Sequence, residues 1–199
     1  MINFKGMEAK EKTGFVKHLP VGAYVGKVLD ARIDGRKLLV LLDVAEGQYA
    51  GFYMNKYNAQ KENPKYGKPK FKGVLKINIP GDESNYYESD MNRFNDMIWR
   101  FQQSNPNYHP DLANGFDETS LKGLMVGFST QECEYNGFVY TEPARFESVD
   151  DVRAGNVQRM SPRKSNEENP TPAPMVDQRS QMEIVNTEKL PWNEDDKPF

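Results

Sequence analysis

The sequence predicts a mainly β fold: a small closed barrel of five or six short strands, with one interposed amphipathic helix and a disordered C-terminal tail. Three observations carry this reading. Ala23–Ala31 and Lys37–Val44 are β-rich runs joined by Arg32-Ile33-Asp34-Gly35-Arg36, and Asp-Gly between such runs signals a hairpin. In Phe71–Ile79, Phe71, Gly73, Leu75, Ile77 and Ile79 alternate with Lys72, Val74, Lys76 and Asn78, the pattern of a strand with one buried face. From Asp90 to Gln103 the spacing changes to three and four, through Met91, Phe94, Ile98 and Phe101, which marks a helix packed on one side.

Residues 1–18 read as a flexible polar arm, and Leu19-Pro20-Val21-Gly22 forces an extended entry to a domain spanning 19–153. In the first strand, mid-strand Gly26 suggests a bend or bulge of the kind that closes small barrels. Leu38–Val44 is nearly continuous apolar sequence, which means burial on both faces for part of its length or tight curvature. Ala45–Gln48 is a turn and Tyr49–Met54 a third strand. Ser89 or Asp90 starts the helix and Asn105-Pro106 stops it. After a single helical turn over Asp117–Gly123, Leu124–Glu134 and Phe138–Phe146 form a final hairpin about Tyr135-Asn136-Gly137. Ser148–Arg153 is one capped helical turn. Residues 154–186, rich in Asn, Pro, Ser, Gln and Glu, cannot bury enough apolar surface to offset their ordering entropy and read as a disordered linker to a tail, 187–199. Five or six strands with a helix before the last hairpin fit a barrel of the oligonucleotide-binding (OB) type. A two-layer α+β sheet is the rival.

About 150 residues outside the linker and tail suffice for one core without a metal or disulfide. The single cysteine, Cys133, suits a reducing compartment. Nothing near Met1 resembles a signal peptide and no run approaches the length of a membrane span, so the expected location is the cytoplasm. The net charge of −3 hides a segregation: residues 1–76 hold 15 Lys/Arg against 7 Asp/Glu, and residues 77–151 hold 4 against 14. An acidic protein can therefore carry a basic face.

Catalytic signals are absent. The two histidines, His18 and His109, stand apart, and no HExxH, CxxC, phosphate-binding glycine loop or GxSxG occurs. Glu132/Glu134 and Asp150/Asp151 read more simply as solvated acidic edges than as metal ligands. No enzyme activity, cofactor or metal is expected.

A binding surface is better supported. Tyr24, Tyr49, Phe52, Tyr53, Tyr57, Tyr66 and Phe71 offer flat groups for base stacking, and Lys27, Arg32, Arg36, Lys37, Lys56, Lys61, Lys65, Lys68, Lys70, Lys72 and Lys76 can neutralise phosphates. For any one aromatic, core packing is the simpler reading; the combination carries the argument. In an OB barrel the loops Arg32–Lys37 and Tyr135–Gly137 flank one groove, which would bring Tyr135, Phe138 and Tyr140 to it.

The chain ends in Leu190-Pro191-Trp192-Asn193-Glu194-Asp195-Asp196-Lys197-Pro198-Phe199, in form a tethered peptide ligand whose Trp192 and Phe199 fill apolar pockets while its acids meet a basic rim. Through Glu194, Asp195, Asp196, Pro198 and Phe199 it resembles the acidic Pro-Phe tail of bacterial single-stranded DNA-binding proteins; Lys197 departs from that pattern, which usually has an apolar residue there. Residues 15–152 are more similar to OB-fold single-strand-binding proteins of phage replication and recombination modules. That likeness rests on Leu19–Tyr24, Leu42–Gly47 leading into Tyr49, Asn92–Gln103 followed by Ser104-Asn105-Pro106, and Leu121-Lys122-Gly123 leading into Val126-Gly127. The resemblance implies sequence-independent coating and protection of single-stranded DNA in a host cytoplasm, with replication or recombination proteins recruited by the tail. It transfers no individual binding residue. A homo-oligomer is compatible with this. The alternative is a non-enzymatic adaptor whose barrel binds protein.

Overall fold

The computed structural model describes residues 18–62, 68–81, 86–135 and 137–163. In these, β1 (Ala23–Asp34) and β2 (Lys37–Val44) are followed by α1 (Phe52–Lys61), β3 (Val74–Asn78) and α2 (Tyr87–Ser104). A 3-10 turn at Glu118–Leu121 leads to β4 (Met125–Tyr135), β5 (Phe138–Glu147) and α3 (Val149–Ala154).

The strands form one antiparallel sheet in the order β3-β2-β1-β4-β5. Its central strands follow from sequence. Leu38, Val40 and Leu42 of β2 meet Val28 and Ala31 of β1 in the core, while Leu39 and Leu41 of the other face are buried as well. The irregularity in β1 falls at Leu29, where its register against β2 shifts, and not at Gly26. Gly26 instead admits the Phe128 ring: a Cβ there would lie 2.9 Å from it. Helix α2 lays Phe94, Met97, Ile98 and Phe101 on the sheet. Asn105 fastens its end, donating to the carbonyls of Phe101 and Met125 and accepting from the Met125 N–H.

The expected closed OB barrel is corrected. The sheet is open: β3 and β5 are its edges, and although they come near each other no ladder joins them. Two features of the sequence favour edges here. β3 has only five paired residues, and β5 contains Pro143, which has no N–H to give to a ladder. The single interposed helix is likewise corrected to three helices, which makes the domain mixed α/β. The resemblance to OB-fold single-strand-binding proteins of phages, which implied the barrel, falls with it.

Two local expectations change too. Tyr49–Met54, expected as a strand, is a turn running into α1. Gly155–Arg163, expected as the start of the linker, lies along β4: the Arg163 N–H donates to the Glu132 carbonyl at 2.8 Å, and the Glu134 N–H donates to the Arg163 carbonyl at 3.2 Å. The rest of the linker, the tail and most of the N-terminal arm lie outside the described residues. The capped turn expected at Ser148 is α3, with the Ser148 hydroxyl accepting the Asp151 N–H at 3.1 Å.

Candidate nucleic-acid interface

The residues that fold α1 also build the surface around it. Gly51, at φ 75°, turns the chain into the helix, a conformation that suits glycine. The cap comes from another element. Asp43, at the end of β2, accepts the N–H groups of Val44 and Tyr53 at 2.8 Å each and of Met54 at 3.1 Å. Its carboxyl sits above the usual aspartate range because burial outweighs the pull of those three donors.

This anchoring gathers aromatic rings into a continuous chain. Tyr24 meets Tyr49 at 5.9 Å, Tyr49 meets Phe52 at 6.4 Å and Phe52 meets Tyr53 at 5.3 Å. Phe71 then lies 6.2 Å from Tyr53 and 6.0 Å from Tyr57, mostly in edge-to-face or tilted arrangements that aromatic quadrupoles prefer. Tyr53 is core, 4% exposed and packed on Phe128. Its hydroxyl is buried without a hydrogen-bond partner among the described residues, and burial raises its pKa. The Tyr24 hydroxyl donates to the Pro20 carbonyl at 2.7 Å, and burial, with Tyr49 adding to it, pushes its pKa up to about 12. Tyr49, Phe52, Tyr57 and Phe71 are partly buried.

Lysines rim the outer members. The Lys56 ammonium lies 5.5 Å from the Phe52 ring centre and that of Lys61 lies 5.8 Å from the Tyr57 ring, both within cation–π reach. The Lys70 N–H donates to the Gln60 side-chain carbonyl at 3.2 Å, which holds the lysine-rich residues 68–72 against α1. From Gly47 to Gly81 the chain has seven lysines and one carboxylate, Glu62. Of the described lysines in this stretch, Lys56 and Lys61 lie on α1, Lys68, Lys70 and Lys72 on the segment that Gln60 holds beside it, and Lys76 on β3.

The structure splits the sequence-derived set. Tyr24, Tyr49, Phe52, Tyr53, Lys56, Tyr57, Lys61, Lys68, Lys70, Phe71 and Lys72 come together around α1. Arg32, Arg36 and Lys37 belong to the β1–β2 turn, past Asp34, whereas the β4–β5 turn carrying Tyr135 lies beyond the opposite end of β1, past the pairing of Ala23 with Ser129. The ladders thus do not bring these two turns together. Lys27 stands between, exposed and opposite Asp43. Lys65, Tyr66 and the tail residues Trp192, Glu194, Asp195, Asp196, Pro198 and Phe199 lie outside the described residues.

Sequence reading missed Asp43, whose signal was a lone carboxylate inside a strand buried on both faces. The tip of the β4–β5 hairpin, expected at the groove through Tyr135, Phe138 and Tyr140, stands in solvent, with Phe138 71% and Val139 54% exposed, but the ladders do not bring it to the β1–β2 turn. Among the described residues no group of three or more His, Cys, Asp or Glu is arranged to hold a metal ion. None of their helices is long and apolar enough to cross a membrane. No protein-family model matches the chain, and no curated protein matches it in sequence.

Proposed function

We propose that the chain binds single-stranded DNA without sequence preference, through the lysine-rimmed aromatic surface of α1 and residues 68–72, shielding the strand during replication or recombination. The observation that carries the reading is the pairing of partly buried rings with lysines on one continuous surface: Phe52 with Lys56, and Tyr57 with Lys61. Such a surface attracts phosphates and offers faces on which any base can stack, at about 1–3 kcal/mol per base engaged. Phosphate neutralisation and stacking on ring faces do not depend on base identity, which is why the reading is one of binding without sequence preference. The acidic segment 187–199 is proposed to recruit partner proteins.

Titration of labelled dT oligomers at low and high salt, with duplex DNA as competitor, tests the reading. The expected result is binding that weakens steeply with salt and that duplex does not displace. Charge reversal at Lys61 and Lys70 should weaken it and flatten the salt dependence by roughly 0.7 per lost phosphate contact. Absence of binding at low salt overturns the proposal.

A further inference from the structure

At the β4–β5 hairpin tip Tyr135 is 63%, Phe138 71% and Val139 54% exposed, three large apolar side chains on adjoining rungs of one protruding ladder. β4 continues past its pairing of Ser129 with Ala23, the first residue of β1, so nothing from β1 covers this part of the hairpin. Exposed Glu134 stands directly opposite Val139, and Glu132 lies two rungs further in, opposite Thr141. The described cation nearest in the ladder, Arg163, is already paired with Glu142 at 2.7 Å. The tip is therefore apolar with an acidic flank.

Its complement is on the same chain. The surface of α1 and residues 68–72 is apolar at its centre and basic at its rim. The register places both features at one end of the sheet: β2 ends at Val44, opposite Gly26 of β1, and leads to α1, while the hairpin extends past Ala23. The influence of the Glu142 carboxylate on Tyr53 is consistent with this proximity. Two complementary patches on one end can each be satisfied by the other patch of a second molecule, which closes a two-fold contact.

We propose that a second copy of this chain docks at this end, with the hairpin tip of each molecule on the lysine-rimmed aromatic surface of the other. The contact does not depend on that surface binding nucleic acid; where both hold, the DNA strand and the second copy compete for it.

Sedimentation velocity of the full chain, without nucleic acid, tests this. The expected result is a monomer–dimer equilibrium that weakens with salt. Replacing both Phe138 and Val139 by serine should raise the dimer dissociation constant at least about tenfold, as loss of a buried apolar anchor does, at unchanged melting temperature. Glu134→Lys alone and Lys61→Glu/Lys70→Glu alone should each lose the dimer, and the chain carrying all three changes should regain it. A chain that stays monomeric at low salt, a dimer indifferent to Phe138 and Val139, or assemblies that grow beyond dimers would overturn the proposal. So would a monomeric chain whose hairpin variant loses affinity for dT oligomers, since the tip would then serve the nucleic acid. Failure of dT binding with the dimer intact sinks the nucleic-acid reading alone.

Discussion

The Asp43 carboxylate accepts the Tyr53 backbone N–H at 2.8 Å and so ties the end of β2 to the first turn of α1. Two further donors, the N–H groups of Val44 and Met54, complete the arrangement. Replacing Asp43 by alanine leaves all three without this acceptor at a site 6% exposed. The expected loss is about 1–3 kcal/mol, the usual cost of unsatisfied buried groups. Urea unfolding measures it, and a weakened near-UV signal from the aromatic cluster should accompany it. An unchanged midpoint would show that α1 stands without this cap.

The same carboxylate sets a pH dependence. Its pKa is raised in the folded state, chiefly by burial, so the folded chain binds the proton more tightly than the unfolded one. The associated stability is fully present below the unfolded pKa and is lost as pH rises through the folded value. Asn at position 43 removes the titration. The stability difference between the natural chain and Asp43→Asn should therefore be greatest at the acidic end and shrink as pH climbs through the carboxylate range. Urea midpoints of both chains at stepped pH measure the trend; a difference that grows with pH would contradict it.

Gly73 precedes β3, and its carbonyl accepts the Leu42 N–H at 2.8 Å. A Cβ here would collide with the Leu42 carbonyl and lie 2.7 Å from the Tyr53 ring. Backbone and a core ring cannot both move aside cheaply. Gly73→Ala should destabilise by roughly 1–3 kcal/mol, as overpacking does. Gly35, with nothing within 4 Å of its would-be Cβ but a φ of 57°, should lose less on the same change. Thermal melts of the two variants compare them directly.

Glu147 joins three elements while almost wholly buried. Its carboxylate accepts from the Arg145 Nε at 2.7 Å, the Ser129 hydroxyl at 2.9 Å and an Arg100 Nη1 of α2 at 3.3 Å. Glu147→Ala takes this acceptor from the Ser129 hydroxyl and both guanidinium groups, while Arg100 keeps Asp96 and Asp151 and Arg145 keeps the Gln158 carbonyl, so the expected cost is about 1–3 kcal/mol. Arg145→Ala leaves the Arg100 and Ser129 contacts and removes a side chain that is 38% exposed, so the expected cost is the smaller one, roughly 0–1 kcal/mol. Equal losses for the two variants in urea unfolding would show that the carboxylate is not the hub.

Periodicity made β3 and α2 legible, because burial on one face is written into residue spacing, and the Asp-Gly and Asn-Gly pairs marked the β1–β2 and β4–β5 hairpins. Periodicity failed at α1. Phe52–Lys61 has only Tyr53 fully buried, and its helix depends on Asp43, ten residues before Tyr53, and on Gly51. A cap supplied by a strand leaves no local trace. Closure failed for a related reason: strand runs and turns do not encode whether the two outermost strands pair. The lysine-rich surface was legible because Lys56, Lys61, Lys68, Lys70 and Lys72 fall close together in the chain, and the Lys70 N–H bond to Gln60 holds the later ones beside α1. The convergence of the Arg32–Lys37 and Tyr135–Gly137 turns was not, because it was inferred from the barrel and not from any residue.

The candidate interface makes a distinction that a merely basic patch would not. Tyr53 and Tyr57 are four residues apart on α1, yet the first is core and the second is half-buried beneath the Lys61 ammonium. Tyr57→Ala should weaken dT-oligomer binding by about 1–3 kcal/mol, the worth of one stacked base, and leave the melting temperature nearly unchanged. Tyr53→Ala should do the reverse in origin: a loss of roughly 3–5 kcal/mol of stability from the emptied core, with binding lost only as far as α1 is lost. Tyr57→Phe keeps the stacking face and should bind as the natural chain does. Fluorescence titration beside a thermal melt separates these outcomes. If Tyr57→Ala binds dT normally, the ring is packing for α1, and the lysines alone would have to account for any affinity.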